Sequence, residues 1–203
     1  MIKKFIAVEC LDCVGKSTAI FKLTEEYSKL GKTKAVYFPK AVRPDTVPYD
    51  LKTEYGWKQY QWDCLSDILN TAYMYMHPEL FPNIEPVDYL ICDRFLLSNF
   101  VYSFKPYDAW RDDAESCLEL NIGLGGDNPW VKLDDILKIT ENRIVECTEI
   151  IRLQRVAAKK GKDDIEAMDT QIKLGERFDS VMTNEEMRRD FIFGESINGM
   201  SDL

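Results

Sequence analysis

The chain is expected to fold as a three-layer α/β domain, a central parallel β-sheet flanked by helices, with residues 1–203 as one unit. Three observations lead there. Phe5-Ile6-Ala7-Val8 is a short continuous apolar run, the pattern of a strand buried on both faces. Similar runs recur at Ala35-Val36-Tyr37-Phe38 and Tyr89-Leu90-Ile91-Cys92. The segments between them carry apolar residues at helical spacing, and strands alternating with helices imply parallel pairing.

After the first strand and its loop, Ser17 to Leu30 places Ile20, Leu23, Tyr27 and Leu30 on one helical face, and Gly31 supplies a C-terminal stop. Pro39 closes the second strand. Residues 40–56 contain Pro44 and Pro48, show little periodicity and read as a loop. Trp57 to Met76 reads as a helix with Trp57, Tyr60, Cys64, Ile68 and Leu69 along one side. The third strand ends at Asp93-Arg94. Residues 95–122 read as helical in parts, broken by Gly123-Leu124-Gly125-Gly126. Asp135 to Ile139 reads as a fourth strand, Glu141 to Ala158 as a helix, and Lys159-Lys160-Gly161-Lys162 as a basic turn. A further helix covers about Glu166 to Met182, and Phe191-Ile192-Phe193 reads as the last strand.

A net charge of -9 and a pI near 4.8 argue against a surface that coats nucleic acid. A local cluster of Lys and Arg can still hold a small anion. Of the six cysteines, only Cys10 and Cys13 form a C-x-x-C pair, with no second pair to complete a zinc site. Reduced, buried thiols are expected, in a reducing compartment. The apolar run of the N-terminus is too short for a signal-peptide core, and no stretch approaches the roughly 20 apolar residues of a membrane span. The expectation is a cytoplasmic protein with no membrane and no nucleic-acid partner. Asp112-Asp113-Ala114-Glu115 reads as a solvated helix face, and His77 before Pro78 as a capping or surface residue.

The strongest local signal is Glu9-Cys10-Leu11-Asp12-Cys13-Val14-Gly15-Lys16-Ser17-Thr18. Its second half matches the end of a Walker A phosphate loop. In that mechanism loop amides and a helix N-terminus face phosphate oxygens, Lys16 neutralises charge on the β- and γ-phosphates, and the Ser17 hydroxyl holds Mg²⁺. Cys10 stands where the motif has its first glycine, so it must take a backbone conformation open to a side chain. A redox reading of Cys10 and Cys13 competes but leaves Gly15-Lys16-Ser17-Thr18 unexplained.

With these pieces in order, the chain resembles the thymidylate kinase family of P-loop nucleoside monophosphate kinases. The resemblance rests on E-x-x-D-x-x-G-K-S-T at residues 9–18, Phe38-Pro39 after the second strand, and Asp93-Arg94-Phe95 with Ser98 and Tyr102. A weaker match is Asp164-Ile165-Glu166 leading to Gly175-Glu176-Arg177-Phe178. It implies transfer of the ATP γ-phosphate to a deoxynucleoside monophosphate, dTMP by default, with ATP and Mg²⁺. Asp12, Cys13, Val14, Gly15, Lys16, Ser17 and Thr18 would line the donor phosphates. Asp12 would also lie near the acceptor, and Ser17 and Asp93 would sit at the metal. Arg94, Phe38, Ser98, Tyr102 and either Lys40 or Arg43 would bind the acceptor.

The family's catalytic arginine would come from a lid around residues 143–165, with Arg152 and Arg155 as candidates. Counting back from Asp93, the family's base-stacking and base-reading positions fall near Leu69 and Tyr73. No arginine occurs in residues 57–92, so Tyr73, Tyr75 or Trp62 is the alternative reader. The resemblance also allows a homodimer. Two other readings stay open: a deoxynucleoside kinase with Glu9 as general base, and a catalytically silent nucleotide-binding module.

Overall fold

Strand β1 (Lys4–Glu9) is buried from Phe5 to its end, because helices cover it on both faces. The computed structural model describes residues 2–11, 15–38, 47–121, 131–146 and 168–198. The elements that follow β1 are α1 (Lys16–Ser28), β2 (Thr33–Tyr37), α2 (Glu54–Met76), β3 (Tyr89–Asp93), α3 (Leu96–Ser103) and α4 (Tyr107–Asn121). Next come α5 (Leu133–Ile139), β4 (Thr140–Glu146), α6 (Met168–Thr183), α7 (Glu185–Asp190), β5 (Ile192–Phe193) and β6 (Ile197–Asn198).

The strands lie in the order β2-β3-β1-β4-β5, all parallel, with β6 also on β4. Glu141 lies opposite Ile192 and Val145 opposite Ile197, so β5 and β6 are two pieces of one edge separated by a one-residue bulge. Alternation along β1 divides the core. Ile6 and Val8 pack with Ile91, Val145 and the Ala19, Ile20 and Leu23 face of α1. Phe5 and Ala7 pack on the other side with Leu90, Cys92 and residues of α2, α3, α4 and α6. Each large apolar side chain buried in this way contributes about 1.5–3 kcal/mol.

Two expectations are corrected. Asp135 to Ile139 is helical, inside α5. Asp134 and Asp135 occupy its first turn and Lys138 its last, the charge order a helix dipole favours, while Leu133, Ile136 and Leu137 bury one face. Glu141–Glu146, expected to begin a helix, belongs to strand β4. Its charges hide its character in the sequence. Glu141 and Arg143 pair with each other at 2.7 Å. Thr140 and Asn142 are buried, the first donating to Ile136 O at 2.7 Å and the second to Ile192 O at 3.2 Å. The expected lid therefore begins inside the sheet at residues 143–146, and its remainder, residues 147–165 with Arg152 and Arg155, lies outside the described residues.

Among the described residues, no helix is long and apolar enough to cross a membrane. Arg177 on α6 donates to Phe100 O, Val101 O and Lys105 O at 3.2, 2.9 and 2.8 Å, which caps the end of α3. His77 is the C-cap residue of α2.

Gly56 in the first turn of α2 donates its N–H to Thr53 Oγ1 at 3.0 Å, and a Cβ there would stand 1.9 Å from Asp50 O. Gly56→Ala is therefore expected to lower stability by about 2 kcal/mol or more. A lower urea midpoint at unchanged m-value would show it; an unchanged midpoint would contradict this packing.

Candidate active site

Register puts the site together. Val8 of β1 lies opposite Asp93 of β3, so the carboxyl ends of these neighbouring strands open side by side. In an open parallel sheet this is where ligands bind. Gly15 precedes α1 in the left-handed conformation, φ 93 and ψ 18, which a residue with a Cβ adopts only at a cost. The start of α1 has no capping side chain and no acidic residue in its first turn, so its positive dipole end is uncompensated. Lys16 opens the helix and reaches across to Asp93, Nζ to Oδ1 at 2.5 Å, a contact of charges rather than an aligned hydrogen bond. Ser17 is exposed at this helix start and Thr18 is half-buried.

Cys10 is buried, and among the described residues only Gly15, Arg94 and Phe104 have positive φ. The residue replacing the motif's first glycine thus sits in ordinary backbone, as its side chain requires. Burial pushes its thiol up to about 12, which keeps it a neutral packing group.

Glu9 is fully buried at the end of β1. The Ser98 hydroxyl donates to its Oε2, and Oε1 has no partner among the described residues. Burial raises its pKa to about 7, against the opposing pull of the Ser98 hydrogen bond and the Arg94 charge. Arg94 follows β3 in the left-handed region, φ 64, with its N–H donated to Val8 O at 3.1 Å. A non-glycine residue there is uncommon and stores strain, a feature concentrated at functional sites. Its guanidinium stacks over the Tyr102 ring at 4.7 Å.

Beside Arg94 lies a cavity of about 480 Å³, counting its solvent-open part. Helix α2 supplies Trp57, Tyr60, Gln61, Cys64 and Ile68; Phe38, Phe95, Ser98, Asn99 and Tyr102 complete the lining. Phe38 donates its N–H to Asp93 O at 3.1 Å, so the second strand's ladder continues to the cavity wall. Asn99 is fully engaged, donating to Gln61 O at 3.1 Å and accepting from Trp110 Nε1 at 2.9 Å, which locks α2, α3 and α4 together.

The structure thus brings together Gly15, Lys16, Ser17, Thr18, Asp93, Arg94, Phe38, Ser98 and Tyr102. Asp12, Cys13, Val14, Lys40 and Arg43 lie outside the described residues. Leu69 and Tyr73 do not reach the cavity. Leu69 is fully buried, and Tyr73 packs on Phe81 and His77. The reason is direction: α2 returns antiparallel to the strands, so its second half lies near their starts. Lys34 of β2 stands 5.8 Å from the Tyr75 ring, which fixes that end. The cavity is reached instead from the first turns, through Trp57, Tyr60, Gln61 and Cys64. Trp62 is half-buried against the core and does not line the cavity.

No protein-family model and no curated protein matches this chain. The geometry carries the functional reading.

For Mg²⁺ the residues present fit. The ion commonly takes one or two protein oxygens and completes its shell with water and substrate phosphates, which the exposed Ser17 hydroxyl and the Asp93 carboxylate can supply.

Glu9 makes a pH-dependent contribution to stability. Its folded pKa of about 7 lies above the ordinary 4.5, so the native state holds more proton than the unfolded chain between these values. Stability should fall as pH rises through that window and then level off. Glu9→Gln keeps an acceptor for Ser98 and loses the titration. The variant is expected to melt higher than the wild type above about pH 7, with the gap closing below about pH 5. Parallel melting curves across pH would contradict the burial argument.

Proposed function

We propose that the chain is an ATP-dependent nucleoside monophosphate kinase, resembling thymidylate kinases, that phosphorylates a deoxynucleoside monophosphate, dTMP by default. The observation that carries this reading is the convergence of Lys16, Asp93 and Arg94 at one end of the sheet, with Arg94 beside an aromatic cavity. A phosphate-binding helix start joined through an arginine to a cavity for a base is what transfer between two bound nucleotides requires.

In this reading an oxygen of the acceptor phosphate attacks the γ-phosphorus in line. The bond from that phosphorus to the β–γ bridging oxygen breaks, and ADP leaves with the electron pair. Lys16 neutralises donor-phosphate charge, and Arg94 holds the acceptor phosphate through paired N–H donors. Magnesium, held by Ser17 and Asp93, would supply further neutralisation of the β- and γ-phosphate oxygens. Arg152 and Arg155 complete the reading as lid cations that exclude water when nucleotide is bound.

Glu9 favours a second reading, phosphorylation of a nucleoside. A buried carboxylate with a pKa near 7, accepting from the cavity residue Ser98, has the proton affinity that removal of a sugar hydroxyl's proton calls for.

ADP release from ATP and Mg²⁺ against a panel of nucleosides and monophosphates tests both. Turnover with at least one monophosphate is expected; turnover with nucleosides alone would transfer the assignment to the second reading. Silence across the panel with ATP still bound would leave a nucleotide-binding module and contradict both. Lys16→Ala should lower kcat/KM by about 100-fold or more in a chain that keeps its circular dichroism spectrum. Arg94→Lys keeps the charge but loses the fork, and should raise the acceptor KM by about tenfold while leaving the ATP KM nearly unchanged.

A further inference from the structure

The cavity holds two polar groups that the phosphate chemistry does not use. Trp57 Nε1 is buried and has no partner among the described residues. Gln61 is 8% exposed; its backbone carbonyl accepts from Asn99, while no described residue hydrogen-bonds its side-chain amide. The two lie four residues apart on α2, one turn apart on the same face, and both line the cavity. The rest of the lining is mainly Phe38, Tyr60, Cys64, Ile68 and Phe95, surfaces suited to the faces of a flat ring.

An indole N–H is a donor only. A glutamine amide carries one acceptor and one donor group, and rotation by half a turn exchanges them. The hydrogen-bonding edge of thymine or uracil reads acceptor, donor, acceptor, at O4, N3 and O2. Cytosine reads donor, acceptor, acceptor. In both, the amide can match the first two positions by choosing its rotation, and the third position is an acceptor for the indole. Adenine has a C–H at that third position and guanine a donor, so each leaves the buried indole N–H unmatched. A buried polar group left unmatched weakens binding by about fivefold to a hundredfold.

Resting on the kinase reading, we propose that Trp57 and Gln61 read the base of the acceptor. They select pyrimidine monophosphates over purine ones and accept both the keto bases of dTMP and dUMP and the amino base of dCMP. A fixed arginine would favour a keto oxygen; a rotatable amide does not.

The test measures binding of dTMP, dUMP, dCMP, dAMP and dGMP by calorimetry, with no ATP present, to the wild type and to two variants of intact circular dichroism. The wild type should bind all three pyrimidine nucleotides within about tenfold of one another and the purine nucleotides at least about tenfold more weakly. Gln61→Glu, measured above about pH 8 so that the carboxylate is ionised, offers two acceptors and no donor, so with either kind of pyrimidine it keeps one contact and turns the other into a repulsion. It should weaken dTMP, dUMP and dCMP alike by about tenfold or more. Trp57→Phe keeps the wall and removes the donor, and should narrow the pyrimidine preference by about fivefold or more.

Unchanged affinities in both variants would overturn the base assignment while leaving monophosphate turnover intact. The predicted ranking without turnover on any acceptor would uphold base recognition and remove the kinase reading. Failure of the wild type to bind any monophosphate would overturn both.

Discussion

The parallel register of β1 on β3 is the constraint on which the rest depends. Both strands are buried on both faces, so a slip of one residue would turn Ile6 and Val8 toward the wrong layer and expel their partners. The register that the core requires places Val8 opposite Asp93. From it follow the hydrogen bond from Arg94 N to Val8 O, the reach of Lys16 to Asp93 and the approach of Ser98 on α3 to Glu9 on β1. Arg94 takes a left-handed backbone to make that turn, a strain of about 1–2 kcal/mol that the flanking strand ladders hold in place.

Charge is arranged locally against the protein's overall balance. The chain carries -9, yet Lys16 and Arg94 converge with Asp93 and Glu9 at the strand ends. Partial burial strengthens these interactions, because the surrounding dielectric is lower than that of water. It also makes Glu9 costly as an anion, which is why its pKa lies near neutrality while exposed Glu54 and Glu79 sit below their ordinary value. The contact with Asp93 holds Lys16 in position at the strand ends.

The sequence was most legible where apolar runs and glycine chemistry leave few alternatives. The first three strands, the helix after Gly15 and the Asp93-Arg94 terminus can all be read from spacing and side-chain type. β4 could not be, because two of its buried positions are Thr140 and Asn142 and the half-buried positions between and after them carry the Glu141–Arg143 ion pair, so no hydrophobic run appears. α5 is too short to show a full helical period beyond Leu133, Ile136 and Leu137. The cavity-facing residues of α2 are hard to read for a different reason. Counting back from Asp93 treats a helix as a ruler, whereas its direction decides which end meets the ligand. A helix returning after a parallel strand presents its first turns to the carboxyl ends of the sheet, and that rule points to Trp57 and Gln61 rather than Leu69 and Tyr73.

The central claim is that the phosphate loop and the aromatic cavity are two halves of one site. Calorimetric titration of a bisubstrate analogue, adenosine joined to deoxythymidine through a chain of phosphates, tests it most directly. The account predicts one binding event, tighter than ATP or dTMP alone by about 100-fold or more, because the second half binds at a high effective concentration. Binding no tighter than ATP alone, or two independent events, would contradict it.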